Sequence, residues 1–225
     1  AVKQLVDSAR KSGTGGKYLI QHSAGSGKTF TISWLAHQLS QIHSKEDKRI
    51  FDSVIVISDR KVIDKQLKDA VKQFEKKLGV VQWAEKSSLL KEALETGINI
   101  IVTTIQKFPF VVEEIGKLKG KNFAVIIDEA HSSQGGEGMR TVKKTLTYTS
   151  LENAEEEDPE EKDIEEQILE DIKARGRMPN VSLFAFTATP KTQTLELFRE
   201  KQPDGSYQAF SLYSMRQAIE EGFII

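Results

Sequence analysis

An α/β fold, with a mostly parallel central sheet and helices on both faces, follows from three observations. Short apolar runs of strand length recur at 53–58 (Ser-Val-Ile-Val-Ile-Ser), 98–103, 123–128 and 183–187, without the polar alternation of a half-exposed strand. Strands apolar on both faces belong to parallel sheets covered by helices. Amphipathic segments lie between these runs, giving the βα alternation such a sheet requires. The first apolar run, Tyr18-Leu19-Ile20, leads through a glycine-rich turn into a helical pattern over 30–39, the junction at which α/β sheets commonly seat a ligand.

In order along the chain, residues 1–16 begin with a helical stripe (Val2, Leu5, Val6, Ala9) that stops in a run of Gly, Ser and Thr. Residues 44–49 are polar and read as a loop before the strand at 53–58. Segments 61–77 and 87–95 read as amphipathic crossover helices, and 80–83 as a further short strand. A helix over 112–121 fades into a lysine-rich turn, and the glycines of 132–138 mark a loop. The 139–180 interval is too long for an ordinary connection. Within it, 163–175 sets Ile164, Ile168, Leu169 and Ile172 on one stripe, predicting a surface helix flanked by acid-rich residues near Pro159. The expectation is one domain over 1–225 carrying an acidic insertion at about 139–180; 225 residues suffice for one such core and are short for two.

Composition narrows the function classes. The chain has no cysteine, so disulfides, thiolate metal sites and Cys nucleophiles are excluded. No apolar run approaches the roughly 18 residues of a membrane helix, and no apolar signal region opens the chain; the expectation is a cytoplasmic protein with no membrane partner. The formal net charge of -1 hides an asymmetry. Residues 151–171 hold twelve carboxylates against Lys162, a net of -11, so the rest of the chain carries an excess of ten positive charges. That excess offers a face for a polyanion if the acidic window stands off it; a solvated basic surface is the plainer reading. The carboxylates themselves are assigned no chemistry.

Residues 21–29 read Gln-His-Ser-Ala-Gly-Ser-Gly-Lys-Thr. A loop that cradles a triphosphate needs glycines so that backbone N–H groups reach the oxygens, a lysine for the β/γ charge, and a hydroxyl for Mg²⁺. Gly25, Ser26, Gly27, Lys28 and Thr29 supply these parts, with His22 where the full phosphate-loop pattern begins with glycine. Asp128 and Glu129 follow the apolar run at 123–128, at the carboxyl end of a strand. An acid there can hold Mg²⁺ together with Thr29, and a second can orient the attacking water. Lys28, Asp128 and Glu129 are thus the candidate catalytic residues, His22, Gly25, Ser26, Gly27, Lys28 and Thr29 the candidate phosphate site, and ATP with Mg²⁺ the expected cofactors.

Asp128-Glu129-Ala130-His131 resembles a DEAH box, and residues 24–29 are similar to the phosphate loop of superfamily 2 helicases and translocases. Thr187-Ala188-Thr189-Pro190 resembles helicase motif III, Ser58-Asp59-Arg60 motif Ia, and the run from Thr103 to Phe108 motif Ib. The flavour of these motifs is that of the motor (R) subunit of type I restriction enzymes. His22 with Gly25-Ser26-Gly27-Lys28, the Asp64 and Gln66 that follow Arg60, the Ser132 to Gly136 run and the run from Tyr213 to Gly222 all share it. Two departures are Ala188, often Gly in the family, and the lack of a basic residue near Ser132.

The resemblance implies a first RecA-like lobe that clamps ATP against a second, with His131, Thr187, Ala188 and Thr189 coupling the nucleotide to nucleic acid. It implies that Ser58, Arg60, Thr103, Thr104 and Lys107 meet the backbone of double-stranded DNA. Further expected partners are the second lobe, with its arginine fingers, and the nuclease domain of the same polypeptide, and the modification and specificity subunits of the complex. Only the first lobe is matched and the family's adenine-reading glutamine is unmatched in 1–16, so the chain is expected to be a fragment, with little ATPase without the second lobe's arginines and no nuclease activity of its own. A general superfamily 2 helicase lobe and a nucleic-acid-binding module with a non-hydrolysing phosphate loop are the alternatives.

Overall fold

Successive side chains of a strand point to opposite faces of its sheet, and here each face has its own helical cover. The computed structural model describes residues 1–23, 26–58, 71, 80–84, 86–128, 164–176, 178–190, 192–198, 200, 201 and 207–221. Helix α1 (Val2–Ser12) precedes β1 (Lys17–His22), and α2 (Lys28–Ser40) precedes β2 (Ser53–Ser58). Then come β3 (Val81–Trp83), α3 (Ser87–Thr96), β4 (Ile100–Thr104), a 3-10 turn (Ile105–Lys107), α4 (Phe108–Lys117) and β5 (Phe123–Ile127). The last part holds α5 (Ile164–Arg175), β6 (Val181–Thr187), α6 (Thr192–Phe198), β7 (Glu200–Lys201), β8 (Tyr207–Gln208), β9 (Ser211–Tyr213) and α7 (Met215–Glu220).

Seven strands form one sheet in the order β3-β4-β2-β5-β6-β1-β9, every neighbouring pair parallel. Strands β7 and β8 form a separate antiparallel ribbon. Tyr18, Ile20, Val54, Val56, Ala124, Ile126, Phe184 and Phe186 face α1 and α2, packing with Leu5, Ile32, Leu35 and Leu39. The residues between them, including Leu19, Ile55, Ile57, Val125, Ile127 and Leu183, face the other way onto Leu90, Phe108, Val111, Ile115, Ile168 and Ile172. Every residue of β2, β4, β5 and β6 is buried, the reason these segments read as continuous apolar runs.

The predicted strands at 18–20, 53–58, 80–83, 98–103, 123–128 and 183–187 all form, each within two residues of the expected limits. Helix α4 starts earlier than the apolar stripe suggested, at Phe108, because Pro109 sits in its first turn, where its missing N–H breaks no helical bond. Helix α5 forms as expected, but it is more than a surface element: Ile168 and Ile172 are 4% and 0% exposed and belong to the core cluster under the sheet. The carboxyl part of the 139–180 interval is therefore built into the fold. The predicted helix over 61–77, apart from Val71, the loop at 132–138 and the acidic residues of 152–163 lie outside the described residues.

Candidate nucleotide-binding site

Because all seven strands run the same way, the residues that end them share one edge of the sheet. His22, Ser58, Thr104, Asp128, Thr187 and Tyr213, from the ends of six different strands, line that edge. Strand β1 turns into α2 across this edge, and Gly27 caps the helix at φ 83 and ψ 24, in the left-handed region open to glycine. Among the described residues no side chain caps the α2 N-terminus. Its first N–H groups thus face the loop, with the positive end of the helix dipole behind them.

Lys28 opens α2 and reaches across β6 to Asp128, just past β5, with Nζ 3.3 Å from Oδ1. The two side chains are 10% and 2% exposed. Asp128 is held from β2 on both sides of its chain: its N–H donates to the Ile57 carbonyl at 2.8 Å and the Ser58 hydroxyl donates to Oδ2 at 3.4 Å. Burial holds the Lys28 ammonium below its ordinary pKa, against the opposing pull of Asp128.

His22 is 3% exposed and braces the loop. Its Nδ1 lies 2.6 Å from Ser26 Oγ and its Nε2 3.3 Å from Thr31 Oγ1. The Ser26 hydroxyl donates to the Ser23 carbonyl, so Nδ1 carries the ring proton, while the Thr31 hydroxyl lies 3.3 Å from Nε2 and donates to the Gly27 carbonyl at the same distance. Burial pushes the imidazole below its usual pKa, and the nearby Lys28 adds to the effect. The residue that departs from the phosphate-loop pattern thus ties the loop to the second turn of α2. Ser23 Oγ is buried with no hydrogen-bond partner among the described residues, a donor left over beside the loop.

These groups fit a magnesium-bound phosphate chain on donor chemistry. Helical N–H groups and Lys28 suit phosphate oxygens, while the Thr29 hydroxyl and the Asp128 carboxylate are the hard oxygen donors Mg²⁺ takes. Thr187 is buried and in register with Gln21 of β1, and Gln21 Nε2 donates to the Ala188 carbonyl at 3.4 Å, joining the two segments. Thr189 is exposed. The expected DNA-contacting hydroxyls sit inside the protein: Ser58 is 0% exposed and turned to Asp128, and Thr103 is 1% exposed and donates to the Ala84 carbonyl at 2.8 Å. Thr104 and Lys107 are also buried. Gly25, Arg60, Glu129 and His131 lie outside the described residues.

Three residues of the cluster carry no role in the sequence reading: Ser23, Thr31 and Tyr213. Thr31 is one turn along α2 from Gly27, a spacing that could have signalled it once the helix start was fixed.

The sequence profile of the SWI2/SNF2 ATPase family matches residues 1–225. The chain belongs to the SWI2/SNF2 ATPase family. Among curated proteins it is 34% identical over 148 residues to the type I restriction enzyme SauCOLORF180P endonuclease subunit of Staphylococcus aureus (strain COL), an alignment covering 64% of this chain and 15% of that protein. It is 32% identical over the same length to the SsaAORF53P endonuclease subunit of Staphylococcus saprophyticus, again with 64% and 15% covered. The chain thus spans about 15% of the length of these relatives. Among solved structures, a nuclease-deletion mutant of the Type ISP restriction-modification enzyme LlaGI in complex with a DNA substrate mimic superposes with a TM-score of 0.54 at 14% identity. That match covers 99% of this chain and 20% of the other. The fold of this SWI2/SNF2 ATPase chain is the RecA-like α/β lobe its motifs implied. Among its described residues no helix is long and apolar enough to cross a membrane.

Proposed function

We propose that this chain is the first motor lobe of a type I restriction endonuclease R subunit, binding and hydrolysing ATP to drive translocation of double-stranded DNA before cleavage. The observation that carries this reading is the meeting of Lys28 and Asp128 at 3.3 Å beside the uncapped start of α2. In the free protein the pair partly neutralises itself; a phosphate chain entering the loop replaces Asp128 as the lysine's partner. The N–H groups of Gly25, Ser26, Gly27, Lys28 and Thr29 then take the phosphate oxygens. Thr29 and Asp128 would hold Mg²⁺, which when bound neutralises charge on the phosphates. Glu129 orients the attacking water. Ala188 and Thr189, joined to β1 through Gln21, carry the state of the phosphate site toward nucleic acid together with His131 and Thr187. Arg60, Thr104 and Lys107 serve backbone phosphates, and because contacts of that kind release counterions, DNA affinity falls steeply with salt.

The partners of the whole protein belong to the same proposal: a second lobe supplying arginines, a nuclease domain, and modification and specificity subunits. An arginine delivered in trans is worth about 10³-fold or more in comparable NTPases, so the chain alone binds Mg·ATP weakly and turns it over slowly. Titration calorimetry with Mg·ATP on the parent chain and on Lys28→Ala tests the site, and a steady-state ATPase assay with and without duplex DNA tests the division of labour. Binding that survives Lys28→Ala unaltered removes the lysine from the phosphates. DNA-stimulated turnover near that of a complete motor would refute the need for the second lobe.

A further inference from the structure

Strand β9 is the sheet's last strand, three residues long, and its carboxyl end lies against the start of the phosphate loop. Tyr213 pairs with His22 in the parallel register, and the ladder runs one rung further: the Ser23 N–H donates to the Tyr213 carbonyl at 3.1 Å. The Tyr213 ring stands 5.0 Å from the His22 imidazole, tilted by 39°. That imidazole is the group which holds Ser26 with one nitrogen and Thr31 with the other. The tyrosine is itself fixed at its far end. Its hydroxyl donates to Glu221 Oε2 at 2.6 Å, and Gln217 Nε2 donates to Oε1 of the same carboxylate at 2.8 Å. Ser214 caps α7 by accepting the Gln217 N–H at 3.2 Å. A chain of contacts therefore runs from α7 through Tyr213 to the two residues from which the loop departs.

We propose that Tyr213 is a positioning residue of the phosphate loop, setting the loop's entry through its ring on His22 and its carbonyl on the Ser23 amide. It reaches no phosphate and acts only through these two neighbours. The hydrogen bond to Glu221 pushes the phenol up to about 12, so the hydroxyl stays a donor throughout the range in which the protein works. The ring, rather than the hydroxyl, supplies the contact with His22, and the main-chain bond to Ser23 survives any side chain. Replacing the ring should thus loosen the loop, whereas removing the hydroxyl alone should not.

This inference rests on the phosphate-binding reading, and the two are tested separately in one series on the whole 225-residue chain. Calorimetric titration with Mg·ADP should show Tyr213→Leu weakened about ten-fold, a change of about 1.4 kcal/mol, and Tyr213→Phe restored to within about two-fold of the parent. In the same series Lys28→Ala should abolish binding. The His22 imidazole gives a readout independent of nucleotide: in the parent its ring protons should carry a ring-current shift from the tilted Tyr213 ring at 5.0 Å, added to that of Phe186 at 6.5 Å, and its ¹⁵N signals should be those of a ring protonated at Nδ1. Tyr213→Leu should remove the Tyr213 share of the first, leaving that of Phe186, and move the second; Tyr213→Phe should retain both. Unchanged affinity in Tyr213→Leu while Lys28→Ala binds nothing would overturn the positioning role and leave the phosphate site standing. Binding unaffected by Lys28→Ala would sink the phosphate reading, and the His22 signals would then decide the Tyr213 contact alone. If Tyr213→Leu does not fold, the parent spectrum decides: the absence of nuclear Overhauser contacts between the Tyr213 and His22 ring protons, 5.0 Å apart by centroid, overturns the proposal.

Discussion

Lys28 and Asp128 meet at 3.3 Å although their strands, β1 and β5, are separated in the sheet by β6. The contact depends on parallel strand ends lying on one edge, and both partners are nearly withdrawn from water. Breaking a buried pair from one side leaves an uncompensated charge, while removing both sides does not. Lys28→Met and Asp128→Asn should each destabilise the chain, and the double variant should recover about 0.5–3 kcal/mol relative to their sum. Urea unfolding of the four proteins measures this coupling. Strict additivity would mean that the two side chains do not interact in the folded protein.

His22 gives the free protein an acid-sensitive loop. Its folded pKa lies below the ordinary 6.5 because the ring is buried, so between the folded value and 6.5 the unfolded chain binds more protons. Stability is then fully present above pH 6.5 and falls as pH drops toward the folded pKa, by no more than about 1.4 kcal/mol per pH unit for one proton. His22→Asn should flatten that part of the stability profile measured by thermal melts from pH 5 to 7.5. An unchanged slope in the variant would place the acid sensitivity elsewhere.

What was legible in the sequence follows from how each element is stabilised. Strands β2, β4, β5 and β6 are buried on both faces, so their composition alone announces them. The glycine-lysine turn and Asp128 stood out because the chemistry expected of them demands particular residue types, and the sheet brings Lys28 and Asp128 together. Strand β9 was not: three residues at an edge, with Leu212 60% exposed, leave no apolar signature, and its contact with the loop is a product of the sheet order. Tyr213 falls in a segment that resembles the restriction family, yet nothing local says that its ring meets His22. Motif likeness gave Ser58 and Thr103 a DNA role, while their burial and their bonds to Asp128 and the Ala84 carbonyl come from strand ends lying between helical layers, which the motif alone does not state. Helix α5 read as a surface element because charge dominates its sequence; Ile168 and Ile172 anchor it in the core.

That anchoring can be tested. Ile172 is 0% exposed and lines an open cavity of about 350 Å³ with Met178, Leu183 and Leu197. Ile172→Ala should enlarge it and destabilise the chain by about 2–5 kcal/mol, seen as a lower urea midpoint. An unmoved midpoint would mean that α5 is as detachable as its acidic composition suggests.

Two glycines, Gly16 before β1 and Gly27 at the cap of α2, separate conformational from steric demand. Gly27 has φ 83, and a Cβ built there meets nothing within 4 Å; alanine would suffer only the left-handed backbone, about 1–2 kcal/mol. Gly16 has an ordinary φ, but its Cβ would stand 2.7 Å from Tyr18 Cε2 and hydroxyl. That ring cannot swing away freely, since it stacks on Phe184 at 4.8 Å and meets Phe210 edge-on at 5.1 Å. Gly16→Ala should destabilise by about 1–3 kcal/mol through overpacking and should shift the Tyr18 and Phe184 ring signals, with nucleotide affinity kept. Gly27→Ala should leave those rings in place and weaken Mg·ADP binding, because it disturbs the turn that presents the first N–H groups of α2. Ring spectra and calorimetry on the two variants read these outcomes, and loss of affinity in Gly16→Ala alone would reverse the assignment.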